Sequence, residues 1–100
     1  MADHPLNTLI KLDPEFMGNV NKMNEFIYAP GALQKKVKLL IALAFDAAHG
    51  AVPGVKSLAQ SAMKEGATKE EIVETLRVAY HLTGVGSLYS ASMGLKDLFE

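Results

Sequence analysis

Hydrophobic positions recur along this chain at the spacing of helices. Phe16, Val20, Met23 and Ile27 fall at i, i+4, i+7 and i+11, a stripe that predicts one helix running to about Tyr28. Val55, Leu58, Ala59, Ala62 and Met63 fall at i, i+3, i+4, i+7 and i+8, the face of an amphipathic helix. Ile72, Leu76, Ala79 and Tyr80 mark the core side of another, and Leu88, Ala91, Leu95 and Leu98 line a last one. Leu6, Leu9 and Ile10 predict a short first helix over residues 5–11.

The longest apolar segment runs from Ala32 to His49, and from Val37 onward few residues in it are polar. Its length and its Ala and Leu content predict a helix, not a strand. A helix apolar on nearly every side is expected to be covered on every side. Lys35, Lys36, Lys38 and Asp46 interrupt it, so it reads as a core helix and not as a membrane span.

The breaks agree with this division. Asp13-Pro14-Glu15 combines an N-cap, a proline suited to the first helical position and an acidic first turn. Ala29-Pro30-Gly31, Gly50, Gly66 and Gly84-Val85-Gly86 interrupt the periodic segments. Thr68 and Glu71 have the spacing of a capping box. No segment alternates as a strand does, and none repeats. The prediction is an all-α fold of about six helices joined by short loops, in one domain over residues 1–100.

Composition adds a partner to that picture. Hydrophobic residues make up 49% of a chain of 100 residues, more than one small core takes in, so part of that surface is expected in a subunit interface. Met17, Met23, Met63 and Met93 fit core or interface filling. A net charge of -1 gives no field to attract nucleic acid or a membrane. The run Lys35, Lys36, Lys38 lacks interleaved Arg or aromatic residues and reads as the wet start of the central helix. There is no cysteine, which excludes disulfides, thiolate metal sites and thiol redox chemistry. The first residues do not form a signal peptide, and a cytoplasmic location is the expectation.

Residues 31–91 resemble the carboxymuconolactone decarboxylase family, which includes the alkylhydroperoxidase AhpD-like proteins. The segment Ala62 to Ile72, reading A-x-x-x-G-A-T-x-E-E-I, carries the most specific part. The apolar helix ending at Gly50 and the later Gly84-Val85-Gly86 fit in order and spacing. The resemblance implies an all-helical, AhpD-like bundle and a dimer-based homo-oligomer, a hexamer among the expected forms. It also places the site near the helix junction. The redox branch of the family carries Glu-x11-Cys-x2-Cys-x3-His. Aligned through Gly50, these positions are Leu39, Ala51, Gly54 and Leu58, so every element of the motif is replaced. A lowered thiol pKa is central to that chemistry, and peroxidase activity of the usual kind is excluded. The decarboxylase branch acts without a cofactor. The resemblance therefore implies a cofactor-independent, decarboxylase-like reaction on a small carboxylated lactone or related acid, or else a non-catalytic oligomer that binds a small molecule or a protein.

Decarboxylation needs donors for the substrate carboxylates and an acid for the carbanion left behind. Asp46 and His49 lie at i and i+3 on the central helix. They are read either as a carboxylate orienting an imidazole or as a helix-end cation with a surface partner. Tyr80 and His81 near the end of the fifth helix offer a donor pair, with a core Tyr whose hydroxyl reaches the surface and a helix-end His as the alternative. Lys56 is a candidate anion ligand at a helix start, or a solvated lysine. Catalytic candidates are thus His49, Asp46 and His81, and substrate-binding candidates Lys56 and Tyr80. No grouping has metal-ligand spacing.

Overall fold

The computed structural model describes residues 5–99. Within them the order is α1 (Asn7–Leu12), α2 (Pro14–Tyr28), α3 (Lys35–His49), α4 (Val52–Lys64), α5 (Lys69–Thr83) and α6 (Gly86–Phe99). No strand occurs among the described residues, and no helix there is long and apolar enough to cross a membrane.

Local chemistry sets the helix ends. The Asp13 carboxylate accepts the Phe16 N–H at 3.1 Å, and Pro14 opens α2. Gly50 closes α3 with φ 77°, and the next N–H, that of Ala51, donates to Asp46 C=O at 2.9 Å. That left-handed turn is open to glycine at little cost. Thr68 and Glu71 form the capping box in both directions, the Thr68 N–H donating to Glu71 Oε1 at 2.8 Å and the Glu71 N–H to Thr68 Oγ1 at 3.0 Å.

Helix α3 packs against α4, α5 and α6, and α1 leans on α2, which meets α3. Leu43, Ala47, Val55, Ala59, Ile72 and Ala91 form the main core, and Leu39, Ala62 and Ala67 a second cluster. Small residues let the helices approach closely. One close crossing is α4 on α6, where a Cβ added to Gly94 would lie 2.6 Å from Val55 Cγ1 and 2.9 Å from Val52 C=O.

Three expectations shift. Leu88 is exposed, and the buried line of α6 is Ser87, Ala91 and Gly94. The close crossing needs small side chains there, so size and not hydropathy selects the face. Tyr80 is exposed as well, because it sits at the edge of the Ile72–Leu76–Ala79 stripe. Finally, α3 is not covered on every side, and the α2 stripe is largely bare. Phe45 is 61% exposed, Phe16 58% and Met23 56%.

Candidate functional site: a cleft between α2, α3 and α4

The α3–α4 pair runs antiparallel about the Gly50 turn, and one stripe from each helix forms the seam. On α3 the stripe is Lys35, Leu39 and Asp46; on α4 it is Gly54, Leu58, Ser61 and Glu65, the last just past the helix end. These spacings return to one helix face. At one end the Asp46 carboxylate lies directly against Gly54, on the first turn of α4. In the middle Leu39 and Leu58 pack in the same cluster. At the other end Lys35 Nζ reaches Glu65 Oε2 at 3.9 Å.

A cleft of about 560 Å³ opens along this seam. Leu39 and Leu58 form its apolar floor, α2 supplies Asn24, Glu25 and Tyr28, and Lys35, Lys64 and Glu65 stand at the rim. The Lys35–Glu65 pair is half exposed, which screens it and leaves it weak. Lys64 and Glu25 have no ion-pair partner among the described residues. The α2 wall is tied down by Lys38, whose ammonium donates to Ile27 C=O at 2.7 Å and Ala29 C=O at 2.6 Å. Those carbonyls lie at the C-terminal end of α2, where backbone acceptors lack helical partners.

The residues singled out from the sequence divide between this seam and the surface. Leu39 and Leu58 share the cleft. Ala51 and Gly54 stand at the start of α4, and a Cβ on Gly54 would lie 3.6 Å from that of Ala51. Asp46 is on the seam. His49 is exposed at the end of α3, its ring 6.3 Å from that of Phe45 and tilted by 55°. No hydrogen bond or ion pair joins it to Asp46 among the described residues. Lys56 Nζ pairs with Asp97 Oδ2 at 3.4 Å on the α4–α6 surface. Tyr80 and His81 lie on the open side of α5 and line neither the cleft nor the groove described next. Tyr28, Lys35, Lys64 and Glu25 were not foreseen. The signal for Lys35 was present, since it lies one turn before Leu39 on the same face.

A second concavity of about 470 Å³ lies between α3 and α5, on the opposite side of α3. Val37, Ile41, Phe45, Val78 and Leu82 are among its walls. Its two hydroxyls are already committed, Thr75 Oγ1 donating to Glu71 C=O at 2.7 Å and Thr83 Oγ1 to Ala79 C=O at 2.6 Å.

Comparison with known proteins agrees with the helix order. The sequence profile of the carboxymuconolactone decarboxylase family matches residues 14–94. An uncharacterised protein of Methanocaldococcus jannaschii is 31% identical over 86 residues, covering 85% of this chain and 83% of that protein. The crystal structure of the apo form of a carboxymuconolactone decarboxylase family protein from Legionella pneumophila superposes with a TM-score of 0.82 at 34% identity, covering 91% of this chain and 81% of that one.

Proposed function

The chain belongs to the carboxymuconolactone decarboxylase family, and we propose that it is a thiol-independent member that binds a small organic acid in the cleft between α2, α3 and α4. The observation that carries this reading is the meeting of Leu39 and Leu58 in one cleft. These are the positions at which the redox branch resembled by the sequence has its Glu and His. Here both positions are apolar and pack in one cluster, and the cleft above them carries Lys35, Lys64 and Glu65 at its rim. A hydrocarbon frame would lie on the two leucines, and a carboxylate would meet the Lys64 ammonium or the Tyr28 hydroxyl.

The finer proposal is a cofactor-independent decarboxylation. The bond from carbon to the carboxylate breaks, CO2 leaves with its two oxygens, and the electron pair left on carbon takes a proton. Tyr28, Lys35 and Lys64 are proton donors that line the cleft, Lys35 beside Glu65 at 3.9 Å. His49 and Asp46 lie outside it, so a role for them would place the reaction at the α3–α4 turn. The separation of His49 from Asp46 favours the second reading, a non-catalytic binder.

Titration calorimetry with small lactones and acids bearing one or two carboxylates tests binding. Saturable binding is expected for the wild type and should vanish in Leu58→Trp, which fills the cleft. Undiminished binding in Leu58→Trp would overturn the assignment of the cleft. Release of CO2, followed with Tyr28→Phe, Lys64→Ala and His49→Ala, separates the two readings. The residue acting as the acid should lower turnover by about 10²–10⁴-fold, and binding without turnover in the wild type would favour the non-catalytic one.

A further inference from the structure

Glu25 occupies an unfavourable place. It lies in the last turn of α2, which ends at Tyr28 and has no basic residue in that turn. The C-terminal end of a helix is its negative pole, so a carboxylate is disfavoured there and a cation favoured. The ion pairs among the described residues join Lys35 to Glu65, Lys36 to Glu71 and Lys56 to Asp97, and none relieves Glu25. The fold itself shows what this helix end accepts. One ammonium, that of Lys38, already rests on the carbonyls of Ile27 and Ala29 at 2.7 and 2.6 Å. Glu25 lines the acid cleft beside Asn24 and Tyr28.

The cleft is balanced in charge. Lys35 and Lys64 bring an ammonium each to its lining, and Glu25 and Glu65 a carboxylate each. Lys35 and Glu65 answer one another at 3.9 Å. What remains is one charge of each sign, Glu25 from α2 and Lys64 from α4, and no ion pair joins them. A ligand with two carboxylates would bring its second negative charge towards Glu25. A ligand with one would still lie in the field of an unpaired carboxylate. A ligand carrying both signs meets an opposite charge at each end and leaves the Leu39–Leu58 floor to its hydrocarbon.

We propose that the ligand of the cleft is dipolar, an amino acid with an apolar side chain. Its carboxylate meets Lys64, its ammonium meets Glu25 at the negative end of α2, and its side chain lies on the two leucines. This rests on the acid-cleft reading and narrows it, because Glu25 becomes the residue that selects an amino acid over the plain acid. Selection comes from repulsion as much as from attraction. The carboxylate that holds an ammonium also rejects an anion that lacks one. Lys64 holds both classes alike and gives affinity without preference.

Three compounds on one hydrocarbon frame test this. L-Phenylalanine carries both charges, 3-phenylpropanoate only the carboxylate, and phenethylamine only the ammonium. Each is titrated calorimetrically into the full chain at neutral pH and low salt. Glu25 and Lys64 are open to water, which keeps each contact modest. With attraction gained and repulsion avoided acting together, phenylalanine should bind about tenfold tighter than 3-phenylpropanoate. Glu25→Gln should remove that preference, weakening phenylalanine and strengthening 3-phenylpropanoate. Glu25→Lys should reverse it, a gain for the plain acid that misfolding does not produce. Lys64→Gln should weaken phenylalanine and 3-phenylpropanoate together and leave phenethylamine unchanged. Equal binding of phenylalanine and 3-phenylpropanoate by the wild type, or a preference that survives Glu25→Gln, would overturn the dipolar ligand and leave the acid cleft standing. Binding of neither carboxylate, or binding undiminished in Leu58→Trp, would overturn the cleft and this proposal together.

Discussion

Gly54 is reserved by Asp46, and a double-mutant cycle measures the reservation. A Cβ on Gly54 would collide with the Asp46 carboxylate, with Asp46 Cγ only 2.9 Å away. Gly54→Ala therefore forces Asp46 out of its place. Moving that short side chain off its rotamer costs about 0.5–1.5 kcal/mol, and losing the carboxylate from the positive end of α4 costs about 0.3–1 kcal/mol. Asp46 is half-buried and has water to swing into, which bounds the cost. Alanine returns up to about 1 kcal/mol in helix propensity, less in a first turn. The net expectation is a loss of about 1 kcal/mol, or a fall in Tm of roughly 4–8 °C for a domain of this size. In an Asp46→Ala background only the propensity gain remains, and the same substitution should stabilise by about 0.5–1 kcal/mol. The coupling is then about 1.5–2 kcal/mol. Urea and thermal melts at one fixed protein concentration read it, the concentration held because association would contribute. Additivity within about 0.5 kcal/mol would refute the contact. The same geometry governs any attempt to restore a thiol pair. Cβ atoms at 51 and 54 would lie 3.6 Å apart, within the range of disulfides. Ala51→Cys with Gly54→Cys should therefore oxidise to an intrachain disulfide readily when Asp46→Ala is also present, and more slowly when Asp46 remains.

Gly94→Ala should destabilise by about 1–3 kcal/mol, because Val55 and the Val52 carbonyl leave no room for the methyl; Gly18→Ala, with nothing within 4 Å, should instead stabilise by about 0.5–1 kcal/mol, and equal effects in melting experiments would refute the close α4–α6 crossing. Lys38→Met removes both hydrogen bonds to the end of α2, and hydrogen exchange should quicken at Ile27 and Tyr28 while α4 keeps its protection. The Glu71 carboxyl is held below its ordinary value of 4.5, first by the Thr68 backbone N–H and then by Lys36 at 3.1 Å. Its contribution is fully present above about pH 4.5 and is lost as pH falls through the lowered folded value. Glu71→Gln should therefore show a flatter acid limb in stability against pH, and parallel curves would refute the linkage.

Helix identity and helix ends were legible in the residues themselves. The Asp13-Pro14 start, the Gly50 stop and the Thr68–Glu71 box involve groups no more than a few residues apart, and the structure places them as the spacing predicted. Such interactions depend on backbone geometry common to all helices, so one stretch of chain contains the whole argument. The family was legible for a related reason, since the order of those signals is itself the resemblance. The core faces were only half legible. Periodicity identified Val55, Ala59 and Ile72, which are buried, but it chose Leu88 over Ser87. Which face of α6 is buried depends on how near α4 comes, and that distance is set by Gly94 and Val55, 39 residues apart. The candidate site was the least legible part. Asp46 and His49 share a helix, yet Asp46 turns to Gly54 and His49 to Phe45. Tyr28, Lys35, Leu39, Leu58 and Lys64 come from three helices and meet only because α2 is held against the α3–α4 seam. No pattern along one helix encodes such a meeting. It follows from the crossing of helices that small residues allow and from the single lysine, Lys38, that ties the end of α2 to α3.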